Sequence, residues 1–438
     1  MNLMEKNYHF IGIKGSGMSA LANILYDEGY HVQGSDVETY FFTQVGLEMK
    51  NIPVLPFDES NIKENMSIIL GNAFSDDHPE VVRAKELNLD VSRYNHFLGE
   101  YIKQYTSIGV SGAHGKTSTT GLLAHILSGL DKTSYLIGDG TGRGVENARY
   151  FALEADEYRG HFLTYQPDYG IITNIDFDHP DYFKDLDHVM RLFDEYANQV
   201  KKAVIACGDD ANVRRLSIDT KTYYYGLEDH NDFIAKNILK KSEGSVFDIE
   251  FQGEKLGTYQ IPLYGNHNIK NAASVIAVCY LEGLDLELVK DLFLSYPGVK
   301  RRFNEKLIYN QHIIDDYAHH PNEISATIDA SKQRHPDKKI VAVFQPHTFS
   351  RTEALMERFA QSLNEADAVY LAPIFASARE QSGKVTIEDL AQAIPQDVTI
   401  LTIDDIRALL DHKEDVLLFM GAGNIQDYMN AYIELVSE

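Results

Sequence analysis

The stretch from Thr106 to Leu130, TSIGVSGAHGKTSTTGLLAHILSGL, decides the fold. It opens on an apolar β-favouring run, turns through Gly112, Ala113, His114 and Gly115, and leaves along a segment with helix-like apolar periodicity. A strand that turns tightly through glycines into a helix is the first half of a parallel βαβ unit. Backbone N–H groups around such glycines can wrap phosphate oxygens. Lys116 then adds a point charge, the Thr117 hydroxyl can ligate Mg2+, and Ser118 lies beside it at the helix start. The spacing departs from the strict G-x-x-x-x-G-K-[ST] pattern, because Val110 stands where the first glycine would be. The strand-loop-helix setting still predicts an ATP site from Gly112 to Ser118.

Strand-like and helix-like segments alternate on both sides of this loop. Upstream, YHFIGI leads into SGMSALANILYDEG and then HVQGSD; downstream, KIVAVFQP, AVYLAPI, VTILTI and DVLLFMGAG read as buried strands between polar helices. This alternation predicts α/β architecture with parallel sheets, in three domains: residues 1–106, 107–297 and 298–438. The stretch from about Lys236 to Gln260 instead reads as local antiparallel strands. A second glycine loop runs from Gly12 through Gly15, Ser16, Gly17 and Met18 to Ala20. Its Gly15-x-Gly17-x-x-Ala20 core, with Asp36 about twenty residues on, matches the dinucleotide fingerprint. On spacing alone a nicotinamide-dependent oxidoreductase is therefore a fair rival, whereas two phosphate loops in successive domains suggest ATP plus a nucleotide-bearing substrate.

Composition narrows the classes. The 438 residues carry 40 basic and 65 acidic side chains, a formal net charge of -25 that repels polyanions and argues against nucleic-acid or anionic-membrane partners. No run is long and apolar enough to span a bilayer, and no secretory leader is legible, so a cytoplasmic protein is expected. Cys207 and Cys279 lie in apolar surroundings without C-x-x-C spacing, as buried reduced thiols do. Monomer and homodimer both remain open.

Seven segments occur together in order: HFIGIKGSGMSALA from His9, GAHGKTSTT from Gly112, TNIDFDHPDYF from Thr173, GNHNIKNAA from Gly265, VKRRF from Val299, DDYAHHPNEI from Asp315 and QPHTFSRT from Gln345. This set resembles the Mur ligase family over essentially the whole chain, and looks like its alanine-adding branch. The resemblance implies an N-terminal Rossmann-like domain for a UDP-sugar, a central P-loop ATPase-type domain, and a C-terminal Rossmann-like domain that closes on the site. Gly12, Gly15, Ser16, Gly17, Met18 and Asp36 would then face the UDP-sugar. Lys116 would contact ATP phosphates, and Thr117, Glu154 and His179 would hold Mg2+, in two ions, with Mn2+ an alternative. His267, Asn268 and Asn271 would read the adenine. Arg302 and Asp316 would be the C-terminal contribution to catalysis, and His347 and Arg351 would meet the amino acid.

Two departures matter. Some relatives carry arginine where this chain has Thr348, which unsettles the full set of carboxylate contacts. The stretch from Asp187 to Gln199 holds no lysine, so the carbamylated lysine of several Mur ligases is not expected. The implied reaction is ATP-dependent ligation of L-alanine to the lactyl carboxylate of UDP-N-acetylmuramate through an acyl phosphate. The nearest rival is the recycling ligase that adds a tripeptide to the same UDP-sugar, and a more distant one is a non-catalytic nucleotide-binding regulator.

Overall fold

The computed structural model describes residues 7–180, 182–376 and 380–437. Its strands form three sheets. The first contains β1 (Asn7–Ile11), β2 (His31–Ser35), β3 (Val54–Leu55), β4 (Met66–Leu70) and β5 (Asp90–Arg93), all parallel in the order β3-β2-β1-β4-β5. Strand order reverses beside β1, and the loop leaving its carboxyl end starts at Gly12. Ligands of open parallel sheets bind at such a switch point.

The second sheet is built from β6 (Thr106–Ser111), β7 (Thr133–Leu136), β8 (Gly142–Arg143), β9 (Tyr150–Glu154), β10 (Tyr169–Ile172), β11 (Ala203–Cys207), β12 (Thr222–Gly226), β13 (Phe233–Lys241), β14 (Gly244–Phe251) and β15 (Glu254–Ile261). Its order is β15-β14-β13-β12-β11-β10-β6-β9-β7-β8, with antiparallel pairing confined to β13-β14-β15 and β7-β8. Helices Lys116–Leu130 and Gly265–Leu281 pack beside each other on this sheet, burying Leu122, Leu123, Ile126, Val275 and Ile276. The third sheet comprises β16 (Asn304–Ile308), β17 (Gln311–Asp316), β18 (Ile340–Phe344), β19 (Ala368–Leu371), β20 (Val398–Ile400) and β21 (Val416–Met420), ordered β16-β17-β21-β18-β19-β20. Only β16-β17 is antiparallel.

The three central strands AVIAC, IVAVF and VLLFM are buried at every position. Helices covering both faces of a parallel sheet require that, and so these strands read as unbroken apolar runs rather than alternating ones. The first two sheets share one core, in which Leu98 and Ile102 pack with Phe162 and Tyr165. β8 lies hard against helix Ser16–Asp27: a Cβ at Gly142 would stand 2.0 Å from the Ala20 carbonyl oxygen, so only glycine allows this approach. No helix among the described residues is long and apolar enough to cross a membrane.

Candidate active site between the second and third sheets

β6 delivers the chain into the loop at Gly112, whose φ of 137° and near contact with Thr173 leave no room for a side chain. Gly115 takes a left-handed φ of 82° and starts helix Lys116–Leu130. Asn174, at the carboxyl end of β10, fastens the loop: its Oδ1 accepts from the His114 N–H at 2.9 Å and its Nδ2 donates to the His114 carbonyl at 2.8 Å. The first-turn N–H groups of the helix have no intrahelical acceptor and point toward the loop mouth, as anion-binding helix starts do.

Lys116 folds back over this loop. Its Nζ donates to the Gly112 carbonyl at 2.6 Å and to Glu157 Oε2 at 2.7 Å. Burial would lower its pKa, but Glu157, Asp156 and Glu154 outweigh burial and raise it, so the lysine is cationic at any ordinary pH. Glu154 ends β9 and accepts from the Gly138 N–H at 2.9 Å, with the Thr117 hydroxyl near enough to pull its pKa down. Burial pushes the Glu154 carboxyl up against the pull of Lys116. A half-buried carboxylate with a hydroxyl beside it is a hard-oxygen pair suited to Mg2+. The His179 ring packs on Tyr158 at 4.8 Å and its Nε2 lies 3.8 Å from Asp178. The structure thus brings Thr117 and Glu154 together and places His179 beside the DEY turn that holds Glu157.

A cavity of about 310 Å³ opens from the loop toward the third sheet. His114, Gly115, Ser118, His267, Asn268, Asn271, Arg302 and Asp316 all line it. Burial, with Lys270 adding to it, lowers the His267 pKa to about 4, leaving a neutral ring able to donate and accept. Asn268 spends its amide N–H on the Tyr264 carbonyl, a local helix-start bond, while Asn271 Oδ1 faces Gly115. Burial lifts the Asp316 pKa to about 6 against the neighbouring Arg302 and the N–H groups of Phe303 and Ala318. Asn174, Asp209, Asp210, Asn322 and Glu323 line the same cavity and were not singled out from sequence. Cys207 lines it too, its thiol pKa raised by burial.

The third sheet grips the second through the segment around Asp176 and Asp178. Arg351 sends Nε and Nη2 to Asp178 Oδ1 at 3.0 and 2.8 Å, with both side chains buried. Arg358 clamps Asp176 at 2.8 and 3.2 Å, and Asn322 joins it. His114 lies 3.8 Å from Asp176 and 3.7 Å from Glu323, and its ring meets His320 at a tilt of 33° with centroids 4.2 Å apart. Burial alone would lower the His114 pKa, yet these carboxylates raise it to about 9. His347 stacks on Phe375, and burial lowers its pKa to about 4. Thr348 adopts a φ of 68°, a strained value for a β-branched residue, in the turn before Arg351.

The other glycine loop is arranged differently. Gly12 has a φ of 85° with Phe74 against it, and a Cβ on Gly17 would stand 2.5 Å from the Tyr94 hydroxyl. Lys14 Nζ is buried and donates to the Val37 and Thr39 carbonyls at 2.6 and 2.9 Å. Asp36 accepts from the Lys14 and Val37 N–H groups at 2.7 and 2.8 Å, so both of its oxygens are engaged by the loop itself. The Met18 side chain is in the core, leaving Gly15, Ser16 and Gly17 at the open helix start.

Three family models match along the chain: the Mur ligase family catalytic domain over residues 7–106, the Mur ligase middle domain over 110–279 and the Mur ligase glutamate ligase domain over 301–423. The UDP-N-acetylmuramate–L-alanine ligase of Levilactobacillus brevis is 57% identical over 430 residues, covering 98% of this chain and 97% of that one. The chain belongs to the Mur ligase family. Among solved structures, the UDP-N-acetylmuramate-alanine ligase MurC of Thermotoga maritima matches with a TM-score of 0.81 and 26% identity, over 98% of this chain and 99% of that one. The murein peptide ligase of Psychrobacter arcticus shares the fold, with a TM-score of 0.70 and 24% identity over 99% of each chain. As a Mur ligase the protein is an ATP-using ligase, and the oxidoreductase alternative for its first glycine loop falls away.

Proposed function

We propose that this Mur ligase joins L-alanine to the lactyl carboxylate of UDP-N-acetylmuramate, releasing ADP and phosphate. The observation that carries this reading is full-length 57% identity to the L. brevis alanine ligase. The fold match supports it, being closer to an alanine ligase than to a murein peptide ligase.

A carboxylate is a poor electrophile, so ATP must activate it. In this reading the lactyl carboxylate attacks the γ-phosphate, giving an acyl phosphate that the alanine amine then opens with loss of phosphate. The Gly15–Gly17 helix start at the switch point of the first sheet would hold the UDP-sugar. The loop from Gly112 to Ser118 would hold the ATP phosphates, with Lys116 stabilising charge on the transferring phosphoryl group. His267 and Asn271 would meet the adenine, and Arg302 and Asp316 would cap the cavity from the third sheet and keep water out. Thr117 and Glu154 fit Mg2+ as a hydroxyl beside a half-buried carboxylate, with His179 a third candidate ligand. When bound, Mg2+ would neutralise phosphate charge, and Mn2+ would serve the same oxygen donors. His347 and Arg351 would meet the amino acid. The domains enclosing these sites are residues 1–106, 107–297 and 298–438.

Phosphate release with MgATP and UDP-N-acetylmuramate, measured across free amino acids and L-Ala-D-Glu-diaminopimelate, tests the assignment. L-Alanine is expected to give the highest kcat/KM. A preference for the tripeptide would make this a recycling ligase instead. With oxygen-18 in the lactyl carboxylate, label is expected in the released phosphate, and unlabelled phosphate would exclude the acyl phosphate.

A further inference from the structure

Away from the ATP cavity, three donors converge where the third sheet meets the end of helix Pro321–Arg334. Glu305 on β16 and His312 on β17 are diagonal neighbours on one face of that antiparallel hairpin, and His335 is the residue that ends the helix. Glu305 Oε1 lies 2.6 Å from His312 Nδ1 and 2.8 Å from His335 Nε2. The two imidazole centroids lie 4.2 Å apart, with the rings tilted by 48°. All three donor atoms fall within 4.8 Å of one another.

Hydrogen bonding explains only part of this. The His335 side chain is 7% exposed, and its Nε2 makes no hydrogen bond although Oε1 is close. Two ligands of one tetrahedral ion do not point at each other; both point at the ion between them. Ligand atoms about 2.0–2.1 Å from zinc stand roughly 3.3 Å apart, so the two contacts to Oε1 would need to open by about 0.5–0.7 Å. Arg334 Nε holds the other carboxylate oxygen at 3.0 Å, which fixes the Glu305 orientation and leaves Oε1 to the histidines.

We propose that Glu305, His312 and His335 form a zinc-class transition-metal site, separate from the magnesium chemistry of the ATP loop. Two imidazoles and one carboxylate select zinc-like ions over Mg2+, which prefers all-oxygen shells, and they leave a fourth position for water. The positive charges of Arg334 and nearby Lys338 oppose the ion, so binding is weaker than at a closed four-ligand site. The site lies beside the contact between the sheets. Arg334 also donates to the Ser242 carbonyl, and Gln333 donates to the carbonyls of Lys241 and Gly244, both on the β13-β14 hairpin. An ion here would tie β16-β17 to the helix end that carries this grip.

The test uses the full chain, stripped with chelator and saturated with MgATP so that the catalytic site is filled, then titrated with Zn2+ and separately with Co2+. One ion per chain and a tetrahedral Co2+ absorption band are expected. His335→Gln and Glu305→Gln should each weaken binding by about 100-fold or more, the upper end of the loss seen when a partner that merely orients a ligand is removed. X-ray absorption on zinc-loaded wild type needs no variant and should show two imidazoles. No stoichiometric binding, unchanged affinity in both variants, binding that is instead lost in His320→Gln, or a spectrum without imidazole would each overturn the proposal.

Discussion

Each of the two glycine loops carries a lysine after a strand, yet the structure uses the two lysines in different ways. Lys14 turns away from its loop mouth and staples the Val37–Thr39 turn through two carbonyls. Lys116 turns over its loop and is held by the Gly112 and Ala113 carbonyls and the buried Glu157. The sequence neighbourhoods are alike, but the acceptors each ammonium finds are not. A lysine whose partners are all backbone carbonyls of its own domain is a structural cation, whereas one balanced by a carboxylate at a phosphate loop can exchange that partner for a ligand.

The largest effect is expected at Lys116. Lys116→Ala should lower kcat by at least about 10²–10³-fold, the scale for losing one donor to transition-state charge. It also strands Glu157 in a buried place, so some loss of Tm is expected. The double variant Lys116→Met with Glu157→Gln should recover Tm but not turnover, and recovered turnover would make the lysine structural like Lys14. Next comes Arg351: its removal should raise the KM for alanine by roughly 10–100-fold, in line with a lost charge-assisted contact, while the ATP KM moves little. An unchanged alanine KM would assign Arg351 to the Asp178 clamp alone. Lys14→Met should cost about 1.5–3 kcal/mol in urea unfolding with kcat at saturating substrates nearly unchanged. A large fall in kcat would erase the contrast between the loops.

The smallest effect concerns pH. His114 has a folded pKa of about 9, above its ordinary value of 6.5. A raised histidine pKa contributes stability that is complete below about 6.5 and is lost as pH climbs through 9. The loss, on the order of 1–3 kcal/mol, falls on the contacts of His114 with Asp176 and Glu323. Tm measured from pH 6 to 10 should therefore decline more in wild type than in His114→Gln. Parallel curves would show that the ring carries no such charge.

Much of the fold was legible because its signals are local. Glycines flanked by an apolar strand and a helical run gave both loops, and β11, β18 and β21 are buried on both faces and so read as unbroken apolar runs. The antiparallel β13-β14-β15 also follows its alternating pattern. Cavity residues His267, Asn271, Arg302 and Asp316 came from family resemblance, since an amide or a paired arginine carries no local mark of function. Asn174 and Glu323 went unnoticed although they sit inside quoted motifs, and Glu157 lies outside all of them. Each meets a partner some 40 to 210 residues away, and one chain without its fold does not show which polar groups meet. Asp36 illustrates the converse: its spacing matches the dinucleotide fingerprint, and only the fold shows that its oxygens also close the loop on the N–H groups of Lys14 and Val37.

Calorimetric titration of ATP and of UDP-N-acetylmuramate into wild type, Lys116→Met/Glu157→Gln and Gly17→Ala tests the division of labour most directly. The Gly17 change forces a Cβ against Tyr94 at the first loop only. The expected result is crossed: the Lys116 double variant loses ATP and keeps the UDP-sugar, while Gly17→Ala loses the UDP-sugar and keeps ATP. Loss of both ligands in either folded variant, or ATP binding undiminished without Lys116, would contradict it.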